Sequence, residues 1–141
     1  MHLDLSSIEK AVGLFDDAVN VAGDTGFMSS LSTEQADTIR AGVIQNFEFT
    51  YELCWKFIQR WLKENRFLEE AALPRTRKDL FRMAARHGLI DHPERWFDYG
   101  DARNITAHIY DANKAKIVYE VATRFIVDAK ELLGRLEAMN D

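Results

Sequence analysis

The sequence predicts an all-α protein, an antiparallel up-and-down four-helix bundle with one additional short helix. Two observations lead to that class. Apolar residues recur at alternating steps of three and four through every long segment. No stretch alternates in strand fashion, repeats internally or lapses into low complexity. The length of 141 residues suits one domain, residues 1–141, with a real core and too little chain for a second.

The first helix carries a single apolar stripe of Leu5, Ile8, Val12, Phe15, Val19 and Ala22. Gly23, Asp24 and Gly26 break it, so a loop is expected before Ser32, which with Gln35 three residues on has the makings of a capping box. The second helix runs through Ile39, Val43, Phe47, Tyr51, Cys54, Ile58 and Trp61 to Asn65. At about 1.5 Å per residue it spans the whole domain. Gly42 weakens it slightly and suggests a close helix contact. Pro74 ends the next connection, and residues 76–87 read as a short basic helix closed by Gly88. Pro93 suits the first turn of a fourth helix that runs through Trp96 and Ala102 to about His108. Asp111 can cap the last helix, whose stripe is Val118, Ala122, Phe125, Ala129, Leu132 and Leu136.

Composition excludes several classes of function. With 47% hydrophobic and 29% charged residues the chain is an ordinary soluble globular protein. A net charge of −5 does not suit a surface that wraps nucleic acid all round. A local exception is residues 75–87, where Arg75, Arg77, Lys78, Arg82 and Arg86 face a single acid, Asp79. That segment reads either as a solvated face or as a guide for a nucleic-acid backbone.

The lone Cys54 forms no internal disulfide and reads as a core residue in a reducing compartment, so a cytoplasmic location is expected. Asp4 and Glu9 interrupt any signal peptide, and no run is long enough to span a bilayer. His2, His87, His92 and His108 lack the spacing of a metal site, so no bound metal or cofactor is predicted.

The chemistry concentrates in the fourth helix. Asp98, Asp101, Asn104 and His108 form a polar stripe there. Arg103 lies about 140° around the helix from His108, within reach of a bending Arg arm. A guanidinium, an amide and an imidazole suit a phosphodiester: Arg pairs with phosphate oxygens, Asn orients, and His moves a proton near neutral pH. The same spacing fits a solvated face or a buried hydrogen-bond network. Glu48, Glu52 and Lys56, four apart, read as an exposed ion-pair ladder worth about 0.3–0.5 kcal/mol per pair, in preference to Glu48 bracing Arg103. Trp55, Trp61 and Trp96 read as packing anchors.

Arg103-Asn104, followed by His108 and Tyr110, resembles the RX4HXY motif of HEPN domains, in the branch called HepT-like toxins or nucleotidyltransferase substrate-binding proteins. The block from Phe47-Glu48-Phe49-Thr50 through Tyr51-Glu52-Leu53-Cys54-Trp55-Lys56 matches too, as does Gly88-Leu89-Ile90, so that the resemblance runs over residues 42–136. The resemblance implies a homodimer with one composite cleft, an RNA substrate and a minimal nucleotidyltransferase antitoxin as partner. It implies metal-independent endoribonuclease chemistry, with His108 moving a proton at the attacked 2′-hydroxyl or the leaving group, Arg103 holding the phosphate and Asn104 positioning them. Tyr110 is then the acceptor of an AMP group that silences the toxin, although it also fits an aromatic packed at a helix end. The competing reading is a non-catalytic subunit in which Arg103 and His108 hold a nucleotide for the nucleotidyltransferase.

Overall fold

Each helix begins and ends where side chains satisfy its free backbone groups. The computed structural model describes residues 2–65 and 74–140. Helix α1 (Ser6–Gly23) turns Ile8, Val12, Phe15 and Ala22 inward. A five-residue helix, α2 (Thr25–Ser29), occupies what reads as a loop in the sequence. The Asp24 carboxylate caps it by accepting from the Phe27 amide at 3.0 Å, and Met28 anchors it in the core. Those two contacts outweigh the poor helix propensity of Gly26.

Helix α3 (Thr33–Glu64) starts in the expected capping box: Ser32 Oγ accepts from the Gln35 amide at 3.1 Å, and Gln35 Oε1 accepts from the Ser32 amide at 2.9 Å. Its 32 residues make a rod of about 48 Å. The connection that the sequence places between Asn65 and Pro74 lies outside the described residues. Helix α4 (Arg77–Arg86) is capped by Thr76 and ends in a Schellman turn, with Gly88 at φ +83° and the Leu89 amide bonded to the Ala84 carbonyl at 2.9 Å.

Helix α5 (Pro93–Ile105) stops three residues before His108. Thr106 Oγ1 bonds back to the Arg103 carbonyl at 2.7 Å, and Thr106–His108 wind into a tighter 3-10 turn. Asp111 then caps helix α6 (Ala112–Ala138) through the Asn113 and Lys114 amides, as the sequence predicts.

Helix directions follow from paired contacts. The start of α1 meets the end of α6 through the Leu3 amide and Asn140 Oδ1 at 2.9 Å, and Asp16 meets Lys130 at 2.7 Å, so α1 and α6 are antiparallel. Thr50 bonds the Ala11 carbonyl, and farther along α1 but farther back along α3 Phe15 and Phe47 flank the same ring, so these two helices are antiparallel as well. Helices α5 and α6 fold back on each other, joining Arg95 and Tyr99 to Asp128. The result is an up-and-down bundle of α1, α3, α5 and α6, with α4 packed against α3 and α5.

Phe125 stands at the centre. Rings from the other three main helices surround it: Phe15 at 5.8 Å, Phe47 at 5.4 Å, Trp96 at 5.3 Å and Tyr99 at 4.7 Å. Such pairs each add about 0.5–1.5 kcal/mol beyond burial, so one residue ties the whole bundle together. The close helix approach lies at Gly100 rather than Gly42: a Cβ on Gly100 would sit 2.8 Å from the Tyr51 hydroxyl, while one on Gly42 would meet nothing within 4 Å. Among the described residues there is no strand, and no helix is long and apolar enough to cross a membrane.

Candidate active site

The hairpin between α5 and α6 pushes its side chains outward because the chain reverses within a few residues, with the Asp111 amide bonded to the His108 carbonyl at 3.1 Å. His108 is exposed, and Tyr110, 84% exposed, is a large aromatic with almost no packing of its own. Their rings stand edge to face at 6.0 Å, with Tyr110 Oη 3.4 Å from His108 Nδ1. A helix-end aromatic buried on a neighbour would look different, so the packing role for Tyr110 is set aside.

Arg103, on the last turn of α5, reaches the other way. Its Nε donates to Glu52 Oε1 at 3.1 Å, and its Nη1 donates to Thr106 Oγ1 at 3.1 Å and lies 3.7 Å from Glu48 Oε2. The second oxygen of Glu52 accepts from Trp55 Nε1 at 2.9 Å. Both glutamates therefore brace Arg103 across the bundle, which corrects the expectation of an exposed ladder running to Lys56. Lys56 instead lies 5.7 Å from the Trp55 ring, and Trp55 is half-buried, packed against the edge of the core. With all three charged side chains about a third exposed, the network contributes on the order of 1 kcal/mol. Its larger effect is geometric: the guanidinium is fixed, and Nη2 has no partner among the described residues. Two N–H groups are left for an incoming anion.

Arg103 and His108 do not touch. The α-helix ends between them, so the wheel no longer relates the two, and the Arg arm bends toward α3 instead of the imidazole. Asn104 stands apart from both. It is exposed on α5 and lines a groove of about 530 Å³ between α4 and α5, with Arg77, Lys78, Phe97 and Asp101. Tyr110 borders a second groove, of about 700 Å³, floored by Ala41, Ile44, Ile109 and Ala115. The described residues hold no group of three His, Cys, Asp or Glu side chains placed to bind a metal ion.

The sequence left Glu52, Trp55 and Thr106 out of the site. The available signal was positional: Glu48, Glu52 and Trp55 share one face of α3, and a guanidinium on a facing helix needs a carboxylate there.

Comparison with known proteins places the chain in a family. The family model described as "Nucleotidyltransferase substrate binding protein like" matches residues 3–138. A protein of Haemophilus influenzae named "Probable ribonuclease HepT" is 34% identical over 138 residues, covering 98% of this chain and 94% of that one. A solved Haemophilus influenzae structure, reported as the fold of a substrate binding domain of a nucleotidyltransferase, has a TM-score of 0.89 at 34% identity, covering 95% of this chain and 99% of that one. The tri-AMPylated HEPN toxin of Shewanella oneidensis, solved in complex with an MNT antitoxin, shares the fold at a TM-score of 0.64 and 20% identity, covering 93% and 96%. The chain belongs to the nucleotidyltransferase substrate-binding protein-like family, within the HepT-like branch of the HEPN superfamily.

Proposed function

We propose that this chain is the toxin of a HEPN and minimal-nucleotidyltransferase pair: a metal-independent endoribonuclease that acts as a homodimer in the cytoplasm and needs no cofactor. In this reading residues 1–141 form a single HEPN-like domain. The observation that carries the reading is a braced, anion-ready Arg103 on the last turn of α5 together with a solvent-reached His108 in the 3-10 turn that follows. The 34% identity to a probable ribonuclease supports it.

In the proposed reaction a 2′-hydroxyl of the RNA attacks the adjacent phosphorus and the 5′-oxygen leaves. His108 handles one of the two protons, and the free Nη2 edge of Arg103 meets the non-bridging oxygens as charge builds on them. Asn104, facing the α4/α5 groove, positions the strand rather than the imidazole. In a homodimer two such turns face one cleft.

The nucleotidyltransferase partner is proposed to modify Tyr110. The phenol oxygen attacks the α-phosphorus of ATP, and pyrophosphate leaves. The added AMP brings charge and bulk to within two residues of His108, closing the cleft by the logic of phosphorylation. The 84% exposure of Tyr110 supports its access to a modifying enzyme.

A second reading is favoured by the likeness to a structure reported as a substrate binding domain. There the same residues hold a nucleotide without catalysis. Cleavage separates the two: His108→Ala is expected to abolish RNA cutting and growth inhibition while the dimer survives on size-exclusion chromatography. Equal cutting by wild type and variant would remove His108 from the mechanism, and no cutting by purified wild type would favour the binding subunit.

A further inference from the structure

The basic helix α4 and the motif arginine belong to one connected cluster. The Arg77 guanidinium lies 4.2 Å from the centre of the Trp55 ring, and Trp55 Nε1 bonds to Glu52 Oε2 at 2.9 Å. The opposite oxygen of Glu52 takes Arg103 Nε at 3.1 Å. Two guanidiniums thus flank one Trp–Glu pair.

The cations of α4 differ in what they already do. Arg82 is committed to Asp79 at 2.9 Å. Arg77 and Lys78 have no carboxylate partner among the described residues; each sits over an aromatic ring, Arg77 on Trp55 and Lys78 at 5.4 Å from Phe97. Cation–π contacts hold a charge in place without neutralising it. Both residues line the groove of about 530 Å³ that also holds Asn104. Its volume has room for a nucleotide unit and none for a duplex. The carboxylate lining it, Asp101, stands on α5 and leaves the α4 side positive.

We infer that the α4/α5 groove is a substrate subsite that binds the phosphodiester backbone of single-stranded RNA, with Arg77 and Lys78 as its phosphate contacts, and that it leads the strand past Asn104 to Arg103. The inference rests on the ribonuclease reading for the identity of the polyanion. It explains how an acidic protein binds an acidic polymer: cations are concentrated on one short helix beside the site while the rest of the surface repels.

The test is binding, kept apart from cleavage. A short mixed-sequence oligoribonucleotide, 2′-O-methylated throughout so that it cannot be cut, is titrated with the full chain at several salt concentrations and followed by fluorescence anisotropy. The variant Arg77→Glu with Lys78→Glu is expected to bind roughly tenfold more weakly and to flatten the salt slope by about 1.4, or 0.7 for each lost phosphate contact. Lys10→Glu with Arg124→Glu, which shifts net charge equally on α1 and α6, is expected to leave the slope near wild type. Arg77→Gln with Lys78→Gln provides the same comparison if the reversal disturbs folding. Equal losses in the α4 and control variants, or no wild-type binding, would overturn the subsite. Cleavage of unmodified RNA is scored separately, so that a wild type that binds through α4 without cutting counts against the ribonuclease and for the groove.

Discussion

Arg103 takes its direction from two carboxylates on another helix, and that single choice separates it from His108. The guanidinium is held at Nε and Nη1 and open at Nη2, the state in which an arginine can receive an anion without first reorganising. Groups away from the site are treated the opposite way. Burial pushes the Cys54 thiol up from its ordinary value of 9.0. Burial likewise raises the Tyr51 and Tyr99 phenols above 10.0, and for Tyr99 the hydrogen bond to the Asp128 carboxylate acts in the same direction. All three stay neutral in the fold at pH values where the unfolded chain ionises, so stability is whole below about 9 and falls as pH rises through 9 to 10 and beyond. Urea midpoints at rising pH are expected to drop first near 9, and Cys54→Ala is expected to delay the onset toward 10, where the tyrosines take over. An onset unmoved by that substitution would show that the thiol does not set it.

Between elements, α3 and α5 approach each other without a side chain at Gly100, and this closeness brings Arg103 to Glu52. Gly100→Ala would drive a methyl to 2.8 Å from the Tyr51 hydroxyl, and Tyr51 is walled in by Phe47, Phe81 and Phe125. Overpacking of about 1–3 kcal/mol is expected to exceed the gain of about 1 kcal/mol from a better helix former. A lower urea midpoint than wild type is therefore predicted, and a midpoint at or above it would contradict the packing. Much of this level was legible in sequence, because caps are local: Ser32 with Gln35, Gly88 and Asp111 all mark the helix ends the sequence assigns to them. Helix α2 was hidden because Gly26 spoils the propensity while one aspartate and one buried methionine restore it. The early stop of α5 was hidden because Thr106 ends it from within, by a side-chain bond back to Arg103. The brace on Arg103 by Glu48 was weighed in the sequence and not chosen for another reason: periodicity tells which face a residue occupies, and it does not give the register of one helix against another.

For the whole molecule, the bundle is a frame that carries its reactive groups on its surface. Phe125 gathers rings from the other three main helices, so the core is satisfied without Arg103, Asn104, His108 or Tyr110. Those four are free to serve a proposed reaction and its control from a single stretch of chain, with Nδ1 of the proposed proton-moving imidazole and the hydroxyl of the proposed AMP acceptor 3.4 Å apart. The measurement that tests this most directly joins modification to activity. Wild type and Tyr110→Phe are each incubated with ATP and a minimal nucleotidyltransferase of the kind proposed as the partner; intact mass and RNA cleavage are then read before and after. Wild type should gain AMP mass and lose cleavage, while Tyr110→Phe should gain no mass and keep the cleavage with which it began. Equal labelling and equal silencing of both proteins would contradict the account.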